Sequence, residues 1–354
     1  MKQYFLNIIT DKDNDIVARL LKLVLWLFSF VYQAVIALRR FFYRIGLLKS
    51  TDLKVPVISV GNIVMGGTGK TPLVVYIAKY LEGRSKTACV LMRGYMDKSK
   101  GEVASASDEA MVLNEKLPKT PILVGSNRSL NAQEFLKNNK TDSFILDDGF
   151  QHWQIKRDCD IVVIDALNPF GNKNTIPRGI LRERFGALKR AHIFVLARVD
   201  LVTEDKKNQI SKLLHNYNEG ALVVEAAHVP SQLIDAIEGK DLELSILKDS
   251  DVVCFSSIGN PDAFERMLKN CGCHLRKEIR FIDHHVYRQM DIDEVCQTAT
   301  KFDTQIVVTT QKDIVKLKLF LNSFKGKVQV LVLNVELEVL KGETEFRARL
   351  DSLL

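Results

Sequence analysis

The chain of 354 residues is 46% hydrophobic and 26% charged, an ordinary globular balance rather than a low-complexity one, and it is long enough for two cores. Fifty basic residues against 43 acidic leave a net charge of +7, which suits an anionic partner such as a membrane surface, a phosphorylated substrate or nucleic acid without choosing among them. Six scattered cysteines with no secretory cleavage pattern ahead of them speak against a disulfide framework and for reduced thiols in a cytosolic setting, and Cys271 and Cys273 lack a second ligand pair spaced for zinc.

Between Lys22 and Arg39 lies an uncharged run, residues 23–38, followed by a basic-aromatic stretch containing Arg39, Arg40 and Arg44. Sixteen uncharged residues fall short of the roughly 20 that span a hydrocarbon core. Basic flanks with Trp26 and Tyr32 favour a helix lying in the headgroup region over a full span or a buried core helix. A signal peptide is disfavoured, because the run starts after Asp11, Asp13 and Asp15 and has no small-residue cleavage site.

Residues 56–60 read as a buried strand that runs into a glycine-rich turn, Gly66, Gly67, Thr68 and Gly69, and then into a helix opened by Lys70, Thr71 and Pro72. This is the order that phosphate binding needs. Backbone amides close around the oxygens, the helix N-terminus adds partial positive charge, the lysine reaches the β- and γ-phosphates and the threonine hydroxyl can hold Mg²⁺. The first glycine of the usual pattern is replaced by Val64. Met65 stands where partitioning-type ATPases with deviant P-loops carry a signature lysine.

Downstream, short apolar strands at 88–92, 121–124, 143–146, 160–164 and 192–196 alternate with helical stretches, which predicts a parallel sheet covered by helices. The strand at 143–146 delivers Asp147 and Asp148 to the ligand edge, where a carboxylate is placed to bind Mg²⁺ directly or through water. Successive strand residues point opposite ways, so the two acids need not both be ligands. Asp165 ends the next strand in the manner of many solvated strand-end aspartates. Arg178, Arg182 and Arg184 form a guanidinium-rich segment suited to phosphate oxygens. Beyond Leu201 a charged helix at 204–215 leads to a strand at 221–224, the stretch 229–249 lacks a clear core pattern, and a second α/β unit follows with strands at 252–256, 305–309 and 328–335. The expected fold is therefore α/β: a P-loop Rossmann-like parallel-sheet domain (51–219), a smaller α/β domain (220–354) and an N-terminal membrane-associated helix (1–50).

Taken together, Gly61-Asn62 with the glycine-rich turn, Arg93-Gly94-Tyr95, Asp108-Glu109, the string Asp147-Asp148-Gly149-Phe150-Gln151-His152, Arg178-Gly179 with Leu181-Arg182-Glu183, Asp283-His284-His285 with Tyr287, and Thr309-Thr310 with Lys312-Asp313 resemble the tetraacyldisaccharide 4'-kinase family. The resemblance runs from about Val55 to Leu317. It implies transfer of the ATP γ-phosphate to the 4'-hydroxyl of an acylated glucosamine disaccharide 1-phosphate in lipid A biosynthesis, at the cytoplasmic face of a bacterial inner membrane, with ATP and Mg²⁺ required. It places a hydroxyl-activating pair on Asp108 and His284 and substrate contacts on Asn62, Arg93, Glu109, Gln151, His152, Arg178 and Arg182. Departures from the family pattern fall at Met96, Ser107 and Arg184, each beside a matched motif.

Phosphoryl transfer asks chiefly for positioning and charge neutralisation, so the P-loop amides, Lys70, and Mg²⁺ on Thr71 and Asp147 or Asp148 are expected to supply most of the rate. His284 lies far along the chain from Asp108, and on these boundaries the pair would meet only when two lobes close. The rival reading is a membrane-associated deviant P-loop ATPase that positions or exchanges a partner. Neither a nucleic-acid surface nor an obligate protein partner is evident in the sequence.

Overall fold

The structure, a computed structural model, describes residues 2–94, 108–283 and 285–354. Its helices in chain order are α1 (Lys2–Ile9), α2 (Ile16–Arg44), α3 (Lys70–Gly83), α4 (Asp108–Lys116), α5 (Arg128–Asn138), α6 (Glu204–Tyr217), α7 (Pro261–Asn270), α8 (Gln289–Lys301), α9 (Gln311–Leu317) and α10 (Glu343–Asp351). Its strands are β1 (Val57–Gly61), β2 (Ala88–Arg93), β3 (Ile122–Gly125), β4 (Ser143–Asp147), β5 (Cys159–Asp165), β6 (Ile193–Ala197), β7 (Leu222–Asp235), β8 (Asp241–Leu242), β9 (Asp251–Ser256), β10 (His274–Arg280), β11 (Ile306–Thr310) and β12 (Gln329–Lys341).

Two compact units are built from discontiguous segments. The first is Met1–Tyr95 with Lys119–Ala227 and Val339–Leu354, and the second is Met96–Pro118 with His228–Glu338. The contiguous boundaries drawn from the sequence at 50/51 and 219/220 differ from this grouping. The reason lies in α4, which buries Ala110, Val112 and Leu113 and packs against α9, so its residues belong with the later part of the chain.

In the first unit the strand order is β3-β2-β4-β1-β5-β6-β7, with every neighbouring pair parallel. Strands β1, β4, β5 and β6 are buried along their whole length. That is why they appear in the sequence as unbroken apolar runs rather than as alternation. Strand β1 lies between β4 and β5, and the loop that follows it sits at the carboxyl edge, where ligand sites of such sheets gather. Helix α3 closes over the sheet with Leu73, Val74, Ile77, Ala78 and Leu81 buried, an i, i+4 stripe. Its outer face is joined by α10: the Tyr76 hydroxyl donates to Glu343 Oε1 at 2.7 Å, the Tyr80 hydroxyl to Asp351 Oδ1 at 2.9 Å, and Tyr76 stacks on Phe346.

Helix α2 is capped by Asp15, whose carboxylate accepts from Ala18 N at 2.6 Å, and runs for 29 residues, about 43 Å at 1.5 Å per residue. The uncharged stretch is thus the middle of a longer helix that includes the basic residues after it. Only Ala18 and Ser29 are buried on it, while Leu20, Leu23, Leu27, Val31, Val35 and Leu38 stand exposed. Among the described residues it is the one helix long and apolar enough to cross a membrane. Its opposite side is tied to the first unit through Ser29 Oγ to Thr175 O at 2.8 Å, Gln33 Nε2 to Thr175 Oγ1 at 2.5 Å and Tyr32 OH to Arg182 O at 3.0 Å.

In the second unit β10, β9, β11 and β12 run parallel in that order, and the far part of β7 carries the short antiparallel β8. Strand β7 extends to Asp235, into the first third of the stretch 229–249 that showed no core pattern in the sequence, where Pro230, Ser231 and Gln232 interrupt its apolar residues. Strand β10 is likewise absent from the sequence-based assignment. Among the described residues it pairs only with β9, is mostly exposed, and carries four charged or imidazole side chains among its first five residues, as an edge strand can.

Gly61 ends β1 where the turn after β4 crosses it, and a Cβ there would lie 2.6 Å from both Phe150 Cβ and Phe150 N. Backbone cannot move aside as a flexible side chain would. Gly61→Ala is expected to destabilise the protein by about 1–3 kcal/mol, measured by denaturant unfolding, whereas Gly83→Ala, which meets nothing, serves as the silent control.

Candidate functional site

The loop from Asn62 to Gly69 joins β1 to α3, and Gly69 opens the helix in the left-handed region (φ 92°), which a glycine adopts without steric cost. Within the loop the buried Asn62 Nδ2 donates to Thr68 Oγ1 at 2.9 Å. The loop is braced from outside by the arginine-rich segment: Arg182 N donates to Ile63 O at 2.7 Å, and Met65 N donates to Ile180 O at 2.8 Å. Arg198 adds a third support, with Nη2 on Gly67 O at 3.3 Å and Nη1 on Asp165 Oδ2 at 2.6 Å. The Asp165 carboxylate, which the sequence reading set aside, therefore anchors the cation that holds the loop.

Register places the acids. Val60 pairs with Asp147, so β4 delivers the Asp147-Asp148 step beside the end of β1, and Asp148 turns into the left-handed region (φ 48°). Its carboxylate is shared by Lys70 Nζ at 3.3 Å and Arg182 Nη1 at 2.8 Å. Burial pushes the Asp148 carboxyl up, but Lys70 and Arg182 outweigh it and hold it below the usual range. Asp147 is buried at the strand end, and its carbonyl accepts from Arg128 Nη1 at 2.6 Å. Thr71 follows Lys70 in the first turn of α3, half-buried.

Arg128 also reaches His152, with Nη2 at 3.0 Å from Nδ1. A guanidinium only donates, so Nδ1 accepts and the ring proton sits on Nε2. Burial, reinforced by Arg128, Arg157, Arg39 and Arg93, lowers His152 to about 3, so the ring is neutral at physiological pH. Gln151 Nε2 donates to Asn62 O at 2.9 Å and to Glu183 Oε1 at 3.1 Å, and Glu183 is paired with Arg190 at 2.8 Å. Gln151 and His152 are thus part of the framework around the loop.

Arg178 is turned to the N-terminal helices, pairing with Asp11 at 2.6 Å. Arg93 ends β2 beside Gly125 with an exposed side chain. A cavity of about 380 Å³ opens between α2 and the segment after Leu181, lined among others by Tyr32, Arg40, Arg44, Arg182 and Arg184. Arg184, one of the departures from the family pattern, lies with its guanidinium 5.9 Å from the Phe30 ring centroid.

Asp108 and Glu109 open α4 in the second unit. Lys316 Nζ is 3.8 Å from Asp108 Oδ2, and Lys312 Nζ bridges Glu109 at 3.6 Å and Asp283 at 3.2 Å. His284, Tyr95, Met96 and Ser107 lie outside the described residues. Neighbouring His285 is a packing residue, stacked on Phe281 and bonded through Nε2 to Asp291 Oδ2 at 2.9 Å. The expectation that Asp108 and the region of His284 belong to different lobes needs correction, since α4 and residues 228–338 form one unit.

Arg128 and Arg198 were not singled out in the sequence. Arg198 carries a usable signal, a cation directly after the wholly apolar β6. Arg128 carries none, since an arginine at the start of a polar helix reads as solvated surface.

A strand, a glycine loop, a lysine-led helix and strand-end aspartates at the carboxyl edge of a parallel sheet define a P-loop phosphotransferase. The family described as tetraacyldisaccharide-1-P 4'-kinase (LpxK) matches residues 21–354. The chain is 36% identical to the tetraacyldisaccharide 4'-kinase of Halothermothrix orenii, over 98% of this chain and 96% of the relative. It is 33% identical to a probable mitochondrial tetraacyldisaccharide 4'-kinase of Arabidopsis thaliana, over 80% and 78% of the two chains. The crystal structure of LpxK from Aquifex aeolicus in complex with ATP superposes with a TM-score of 0.72 at 29% identity, covering 94% of this chain and 99% of that one. The chain therefore belongs to the tetraacyldisaccharide 4'-kinase family, and its activity is that of a lipid kinase of lipid A biosynthesis. The rival reading as a partner-positioning ATPase is not favoured.

The lowered His152 fixes a sign for acid stability. The unfolded ring takes up a proton near its ordinary 6.5 while the folded one resists until about 3, so the stability His152 contributes is fully present above about pH 6.5 and is lost as pH falls toward 3. His152→Asn should cost stability at pH 7.5, and the gap to the parent should shrink on titration to pH 4.5, followed by denaturant unfolding at each pH.

Proposed function

We propose that the loop from Asn62 to Gly69 grips the β- and γ-phosphates of ATP, with Lys70 as the moving cation, and that the γ-phosphoryl passes to the 4'-hydroxyl of an acylated glucosamine disaccharide 1-phosphate. The observation that carries this is the sharing of Asp148 between Lys70 and Arg182 beside the glycine loop. Asp148 holds both cations at one place, and a triphosphate tail offers Lys70 a stronger partner than a lone carboxylate.

Mg²⁺ fits the donor set. It takes hard oxygen ligands, usually one or two carboxylates together with phosphate oxygens and water, and Thr71, Asp147 and Asp148 supply a hydroxyl and carboxylates at the end of β4 and the start of α3. Bound there, it would neutralise charge on the transferring phosphoryl group. Asp108, with His284, is assigned to take the proton from the acceptor hydroxyl, a contribution of about 10²- to 10⁴-fold.

The acceptor's acyl chains give the exposed side of α2 a use. Its apolar stripe would rest in the cytoplasmic leaflet of the inner membrane, and the cavity between α2 and the segment after Leu181, with Arg40, Arg44, Arg182 and Arg184 in its wall, would take the anionic sugar head. Because Arg182 also holds Asp148, the acceptor-side cavity and the lysine of the phosphate loop share one guanidinium.

Incubation with γ-labelled ATP, Mg²⁺ and a tetraacyldisaccharide 1-phosphate should move label into the lipid, and Lys70→Ala should slow this by about 10²- to 10³-fold. ATP consumed with no label in lipid would refute the assignment. Replacing Leu20, Leu27 and Val31 together by Gln leaves the Ser29, Tyr32 and Gln33 contacts in place. It should reduce cosedimentation with anionic vesicles and turnover of vesicle-borne acceptor while nucleotide affinity stays within about twofold, whereas equal loss of both would make α2 a structural helix only.

A further inference from the structure

Asp313 is the most completely enclosed acid of the second unit, with 0% exposure. Its carboxylate accepts from Ser257 N at 3.0 Å, Ser257 Oγ at 2.5 Å, Tyr287 OH at 3.0 Å and Thr310 Oγ1 at 2.7 Å. Burial, then the Asp313 charge, pushes the Tyr287 phenol up, so it remains a donor. Four donors on one buried carboxylate make a rigid post. Lys316, one helical turn along α9, stands against it: Nζ lies 3.3 Å from Asp313 Oδ1, donates to Ser257 Oγ, and sits over the Tyr287 ring at 5.4 Å.

An ammonium has three protons to place. Two acceptors, Asp313 and Ser257, belong to the post, and on its remaining side the ammonium forms a longer ion pair with Asp108, whose Oδ2 is 3.8 Å away. All of these groups lie within the second unit. The Lys316 charge is already matched by Asp313, so what it offers Asp108 is chiefly a fixed direction. Lys312, one turn earlier on the same helix, holds Glu109 and Asp283, and the two lysines together pin the first turn of α4.

We propose that Lys316 is a positioning residue for phosphoryl transfer: anchored on the buried Asp313, it orients the Asp108 carboxylate toward the acceptor hydroxyl. This rests on the reading of Asp108 as the base. Neither Lys316 nor Asp313 touches the reacting atoms, and their effect on the reaction passes through Asp108 alone.

The test is a double-mutant cycle on the full chain with vesicle-borne acceptor, using Lys316→Met, Lys316→Arg and Asp108→Asn. In the parent background Lys316→Met should lower kcat by about 10- to 100-fold with KM for ATP unchanged within about twofold, and Lys316→Arg should restore most of the loss. In the Asp108→Asn background Lys316→Met should cost nothing further. Equal losses in both backgrounds, or a rise in KM for ATP that accounts for the effect, would overturn the positioning role while leaving the kinase reading intact. Full turnover by Asp108→Asn would remove the base assignment and this inference with it. Should Lys316→Met fail to fold, Lys316→Gln, which can still donate to the post, replaces it, and failure of both to fold would make Lys316 a structural residue.

Discussion

The ion pairs at Asp148 are the constraint on which the phosphate loop depends. A single carboxylate, brought in by the pairing of β4 with β1, holds the lysine that leads α3 and the arginine whose own backbone braces Ile63. Without the register of Val60 on Asp147 the carboxylate would sit elsewhere along the strand. The loop would then lose both its charged partner and the segment that supports it. Sheet pairing, loop bracing and charge placement are thus one arrangement, and the left-handed turn at Asp148 is the local backbone cost that it carries.

Around this centre the first unit is organised as concentric supports. Arg198 on Asp165 takes Gly67, Gln151 takes the Asn62 carbonyl, and Arg128 joins Asp147 to a neutral His152. Conserving the neutral imidazole matters here because several guanidinium groups already crowd the region. A protonated ring would add another positive charge among them.

Much of this was legible in the sequence because its physical cause is local. An apolar strand, three glycines and a lysine announce a phosphate loop wherever they occur in that order, and the pair Asp147-Asp148 ends an unmistakable buried strand. Partnerships across the chain were not legible. Nothing in the order of residues says that Arg178 turns to Asp11, that Arg198 crosses to Gly67, or that α4 packs against α9, since each depends on where the sheet carries distant segments. Strands β7 and β10 were understated for a related reason: partial exposure leaves polar side chains in them, and the apolar run that marks a central strand is missing.

Helix α10 has a consequence of its own. Residues 343–351 complete the outer face of α3 through Glu343, Phe346 and Asp351, although some 270 positions separate them from Tyr76 and Tyr80. During synthesis the outer face of α3 therefore waits, unfinished, until residues 343–351 have left the ribosome, while the inserted segments, which end at Glu338, can settle earlier. A break in the chain just ahead of Glu343 would be felt first at the helix that Lys70 begins.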